Sequence, residues 1–228
     1  KIQESLISTA RKFRKFWKNL IYDRTVLLLL FIFTIGIMVM GWHASHLQAN
    51  LVKTMSLGNA KLYSQALAEF RTLYTSEVVE RVRNQGIAIT HDYKSQDAAI
   101  PLPATLSMEL GKRIGDKRSG AFTKLYSQYP FPWRAEKGGL RDPFAHEAWR
   151  ALIANPNEPF FRFEEINGRM SLRFATADIM RSSCVNCHNT HADSPKTDWK
   201  EGDVRGILEI VHPVDTILTA TRAGVGET

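Results

Sequence analysis

The amino-acid sequence predicts a mixed α+β domain built on an antiparallel sheet with flanking helices, preceded by one transmembrane helix and a long helix behind it. Three observations predict this class. Residues 25–42 (TVLLLLFIFTIGIMVMGW) run for 18 positions without a charge. Residues 45–85 hold no proline and one glycine, Gly58, while Leu51, Met55, Leu62, Ala66, Phe70, Leu73 and Val78 recur at spacings of three to seven. Four alternating or aromatic-rich runs follow, at 121–129, 159–166, 170–177 and 204–211, interleaved with short helical stretches.

The N-terminal segment sets the topology. Of the formal charge of +7, residues 1–24 contribute +5, from Lys1, Arg11, Lys12, Arg14, Lys15, Lys18 and Arg24 against Glu4 and Asp23. The remaining 23 basic and 21 acidic residues nearly balance, which argues against nucleic acid as a partner. The apolar run has Thr34 as its interior polar residue and is near the minimum for crossing about 30 Å of hydrocarbon. A buried core helix would show a polar stripe, and a cleaved signal peptide has a shorter apolar region and a shorter basic lead. The positive-inside rule then places residues 1–24 in the cytoplasm, 25–44 across the membrane and the rest outside the cytoplasm. Leu6, Ala10, Phe13, Trp17 and Leu20 recur at helical spacing in the lead, which suits either a helix on an anionic leaflet or a solvated basic tail.

Residues 45–85 read as one long linking helix that either packs on the sheet or also carries a shift toward the membrane. The prolines at 101 and 103 make 87–105 an ordered loop or edge. Thr105 is the expected N-cap of a helix over 106–114, followed by a turn at 115–120. Asn167-Gly168 marks a hairpin between the second and third strands. Asp142 caps a helix over 143–153 that has Pro143 in its first turn. Residues 86–215 thus form the domain, and 216–228 a C-terminal tail in which no output module is read. The order of elements is compatible with a PAS-like fold, which periodicity alone does not select.

The chemistry concentrates at Cys184-Val-Asn-Cys187-His188, which uses both cysteines of the chain. Two thiols at this spacing can each form a thioether to a vinyl group of one haem while the next residue presents its imidazole to the iron. The predicted cofactor is therefore one covalently attached haem c, on the side of the membrane where such attachment occurs. Two rivals stand beside it. A disulfide or redox couple does not need the following histidine and usually sits at the start of a helix after a strand. Zinc could draw on Cys184, Cys187, His188 and His191, although adjacent residues seldom both reach one tetrahedral ion.

His91, ahead of the proline-rich loop, is the first choice for a second iron ligand beside His188, with Met108, His146, Met170, Met180, His191 and His212 or an open site as alternatives. His43 and His46 lie at the membrane boundary and are excluded. Arg134, Arg173 and Lys196 are candidate donors to haem propionates, and Trp133 and Trp199 candidate packing partners of the macrocycle edge.

Four motifs in order extend this reading: residues 100–105 (IPLPAT), 125–134 (LYSQYPFPWR), 184–189 (CVNCHN) and 198–210 (DWKEGDVRGILEI). Together they resemble a bacterial family of PAS-like c-type haem domains, over roughly residues 50–215. Such domains often precede adenylate or guanylate cyclases, sensor kinases or chemotaxis-type outputs. The resemblance implies a PAS-like fold, a sensory role, and Cys184, Cys187 and His188 as haem attachment and proximal ligand. Some relatives place a cysteine on the distal side, and this chain has none to spare. The expected function is a redox or gas-sensing input domain, non-enzymatic because no acid/base pair lies close in sequence. It would work through a signalling partner and, by analogy with PAS-like sensors, as a homodimer. The alternative is an electron-transfer or accessory haem subunit of a membrane oxidoreductase.

Overall fold

The computed structural model describes residues 2–117 and 120–214. The tail at 216–228 and the side chains of Leu6, Ala10, Phe13, Trp17 and Leu20 lie outside the described residues, so the readings made of them have no structural counterpart here. The chain divides between Leu51 and Val52 into two units.

Helix α1 spans Ile2–Tyr74, so the apolar run and the long helix behind it are one continuous helix. A π-helical turn, Thr75–Val79, and a short helix α2, Glu80–Val82, continue it. In the first unit the side chains from Leu27 to Met40 stand exposed, Leu27 by 65% and Met40 by 76%. The helix from Arg24 onward is long and apolar enough to cross a membrane, a test that a signal sequence near an N-terminus also passes.

The second unit is mixed α+β, as expected. Strand β1 (Ala88–Thr90) pairs in parallel with β2 (Ala99–Pro101), and these fill the segment read as a loop or edge. Helix α3 runs Pro103–Lys117. It starts two residues before the expected cap, because Pro103 presets the helical φ of a first turn and the Leu106 amide donates to Leu102 O at 3.0 Å. Thr105 is therefore inside the helix.

The main sheet contains β3 (Phe122–Tyr126), β4 (Phe160–Ile166), β5 (Arg169–Ile179) and β6 (Val204–Pro213), ordered β3-β6-β5-β4 and antiparallel throughout. Asn167 (φ 52°) and Gly168 (φ 75°) form the two-residue turn between β4 and β5, with both residues in the left-handed region that such turns require. Helix α4 (Ala135–Gly138) is a single turn, and α5 (Pro143–Ala154) starts at Asp142, whose carboxylate accepts from the Ala145 amide at 2.8 Å. Helix α6 spans Ser182–Thr190.

The period of two along the strands makes two cores. Leu125, Leu172, Phe174, Leu208 and Ile210 pack against Val52, Ala60 and Leu67 of α1, with Met108 and Leu110 of α3 at the edge. Tyr126, Ala175 and Ile207 pack against Phe144, Ala148, Trp149 and Leu152 of α5. Burying apolar side chains on both faces, each by about 1.5–3 kcal/mol, holds the sheet between its helices.

Candidate functional site

The Cys-x-x-Cys-His segment forms most of α6, which leaves the sheet directly after β5. Before it, β5 shifts register between Asp178 and Ile179, opposite Gly206 of β6. Such bulges redirect the strand next to functional sites. A Cβ at position 206 would come within 2.9 Å of Tyr126 O, so a side chain there would push β6 off β3 at this point.

On its far side α6 is pinned by Asn189. Its amide donates to Trp199 O and accepts from the Trp199 amide, both at 2.9 Å. Trp199 is itself buried, which fixes the loop returning to β6.

The near side of α6 opens on a cleft of about 930 Å³, lined by Cys184, Cys187, His188 and His191. Thr75 and Val79 of the π turn, His91, Met108, and Phe131, Trp133 and Arg134 between β3 and α4 form the other walls. The rings form a continuous set. Trp133 stacks on His91 at 4.4 Å and on Phe131 at 4.5 Å, and Phe131 stands 5.3 Å from both His188 and His191.

Cations are concentrated here as well. Arg205 of β6 donates from Nε to His188 Nε2 at 3.1 Å, and its Nη1 lies 3.8 Å from Asp178. Arg71 of α1 grips Asp178 with two 3.0 Å contacts. Arg134 donates to Leu125 O at 2.9 Å.

Burial, reinforced by the Arg205 charge and only partly opposed by Asp178, pulls the His188 pKa down to about 3. The ring is therefore neutral at physiological pH, the form in which imidazole coordinates metals. Both thiols are free, Cys184 half-buried and Cys187 exposed.

Of the residues named from sequence, Cys184, Cys187, His188, His91, Trp133 and Arg134 line the cleft, together with Met108, Met180 and His191. Arg173 does not. Flanked in β5 by Leu172 and Phe174, it points to the opposite face, where it binds Glu209 (2.7 Å), Glu164 (2.9 Å) and Asp142 (2.9 Å). Lys196 pairs with Asp198 and lies 4.8 Å over Trp199, so both belong to the loop behind α6. His146 borders a separate groove beside Trp149, Met170 is exposed on β5, and His212 sits in the β6 ladder opposite Leu172. Arg71, Phe131, Asp178 and Arg205 were missed. Phe131 lies inside the second motif and Arg205 inside the fourth, and no local pattern marks Arg71 or Asp178.

Among the described residues, no group of three or more His, Cys, Asp and Glu side chains gathers to hold a metal ion, so the four zinc donors do not converge. The start of a helix after a strand is also where a redox couple would sit, so placement alone does not separate that reading from haem.

The residues fit a covalently held haem. Two free thiols and a neutral imidazole share one helix, aromatic walls face them, and guanidinium groups stand near for the propionates. The volume also lies within the range of about 300–1,000 Å³ common for cofactor sites.

No curated protein matches the sequence. The crystal structure of the cyanobacterial haem protein Tll0287 is similar at 14% identity, covering 69% of this chain and 94% of that one, with a TM-score of 0.48. The family model for Tll0287-like proteins matches residues 48–213, most of the chain, and the chain belongs to the Tll0287-like family.

Proposed function

We propose that this chain binds one c-type haem covalently through Cys184 and Cys187, with His188 as proximal ligand, and acts as a redox or gas-sensing input for signal transduction. The observation that carries it is Cys-x-x-Cys-His on one helix, with its neutral imidazole at the wall of an aromatic, arginine-rich cleft. Membership of a family named after a protein described as a haem protein supports the cofactor. The four-stranded antiparallel sheet between helices supports a PAS-like domain, and the exposed apolar stretch of α1 supports a single-pass anchor in the bacterial inner membrane with the haem domain in the periplasm.

When bound, the haem supplies an iron that changes oxidation state or takes a diatomic ligand. The chain holds it in place, orients His188 and offers Arg134 to its carboxylates. Trp133 packs beside it, and Arg173, Lys196 and Trp199 keep the surrounding loop and sheet in shape. His91 is proposed for the sixth position, with His191 and Met108 as neighbours able to compete. The partners on this reading are a signalling output, a second copy of the chain and the membrane, and the role is non-catalytic.

The test is an optical spectrum of the purified full chain in oxidised, reduced and carbon monoxide-treated forms. The expected result is a haem c spectrum that survives acid-acetone extraction in the polypeptide and changes with carbon monoxide or with His91→Ala. Colourless protein or extractable pigment overturns the reading. Exposure of Cys187 favours an electron-transfer subunit as the alternative, since it brings one edge of the site to solvent. That role predicts fixed six-coordination in both oxidation states and copurification with an oxidoreductase.

A further inference from the structure

A line of donors and acceptors runs from α1 to the imidazole of His188. Arg71 holds Asp178 with Nη1 on Oδ2 and Nη2 on Oδ1, each at 3.0 Å. Their side chains are 7% and 11% exposed, so losing either partner would strand a buried charge. On the other side of the same carboxylate stands Arg205, Nη1 at 3.8 Å from Oδ2 and Nε donating to His188 Nε2 at 3.1 Å. Asp178 is thus shared between a cation on the helix and a cation on the ring.

Donor counting decides what coordination of His188 does to this line. A guanidinium has five N–H donors and no acceptor. An imidazole that gives one nitrogen to a metal keeps its proton on the other, so no lone pair is left for Arg205. Arg205 then faces a donor, and the nearest carboxylate to turn to is Asp178, which Arg71 already holds. Arg71 has little to fall back on, since its Nε is buried without a hydrogen-bond partner. One turn after Arg71 the helix widens into the π turn, where Thr75 Oγ1 donates to Arg71 O at 2.7 Å and Thr75 and Val79 line the cleft. Turns of this kind interrupt the regular helical ladder and are frequent at functional sites.

We propose that Asp178 couples ligation of His188 to helix α1: coordination moves Arg205 onto Asp178, weakens the grip of Arg71 and loosens the π turn that follows it. No bond or electron is transferred along the line; only hydrogen-bond partners are exchanged. The inference rests on the haem reading above, and it adds the route by which the metal ligand acts on the helix.

The test compares amide hydrogen exchange across residues 67–82 in the full chain prepared with and without haem. In the wild-type chain, exchange in this segment is expected to differ about tenfold between the two preparations, as local opening responds to the Arg71–Asp178 pair. Arg205→Met keeps that pair and is expected to abolish the difference. Asp178→Asn, which can still accept from Arg71, is expected to abolish it too, and serves as the second variant should Arg205→Met fail to load haem. A difference that persists in both variants, or none in the wild-type chain, overturns the coupling while leaving haem binding intact. A wild-type chain that never takes up pigment overturns the haem reading and this inference together.

Discussion

Arg173 shows how one side chain can serve the fold away from the cleft. Its guanidinium lies 4.0 Å over the Phe144 ring and binds three carboxylates, of which Glu209 is fully buried. Burial alone would weaken the charge of Arg173, but Glu209, Glu164 and Asp142 more than offset this and raise its pKa. Asp142 links the cluster to the start of α5. Partial burial would raise its pKa, yet the Ala145 amide and Arg173 together leave it below the usual carboxylate value. A carboxylate depressed in the folded state stabilises the fold above its unfolded pKa, and that contribution fades as pH falls through the folded value. Asp142→Ala is therefore expected to cost about 1–2 kcal/mol at neutral pH, from the lost cap and ion pair. The cost should shrink as the medium is acidified below the normal carboxylate range, whereas Asp142→Asn keeps most of the cap. Urea unfolding of the three proteins at neutral and acid pH checks the sign.

At the scale of elements, α3 forms one wall of the cleft and depends on two glycines to sit close to β3. A Cβ at Gly111 would lie 2.2 Å from Thr123 Oγ1, and one at Gly115 would lie 2.1 Å from the carbonyl oxygen of Ala121. Thr123 can rotate, but the Ala121 carbonyl belongs to the backbone leading into β3 and cannot turn aside without moving the start of that strand. Gly115→Ala is expected to destabilise the domain by about 1–3 kcal/mol, the usual range for overpacking. Gly58 of α1 meets nothing within 4 Å, so Gly58→Ala should instead add up to about 1 kcal/mol through helix propensity. Denaturant midpoints of the two variants should move in opposite directions. The start of α3 also shows why the sequence misplaced an element boundary: Thr105 and Pro103 both signal a first turn, and the preset φ of proline prevailed.

For the whole molecule, the exposed stretch between Leu27 and Met40 carries the clearest expectation. The full chain should stay with the membrane fraction through an alkaline wash, and a chain starting at residue 45 should appear in the soluble fraction. Release of the full chain by alkali would exclude a spanning helix.

The long helix, the hairpin at Asn167-Gly168, the cap at Asp142 and the clustering of both cysteines with His188 were legible in the sequence because each is a local property. Periodicity, turn chemistry and motif spacing lie within a few consecutive residues. The tertiary structure alone decided which distant side chains meet. It brought Arg71, Asp178, Phe131 and Arg205 to the cleft and turned Arg173 to the opposite face, because the side a strand residue occupies depends on sheet register and on the shift at Asp178 and Ile179. Pairing between strands far apart in the chain sets that register, and no short stretch of residues encodes it.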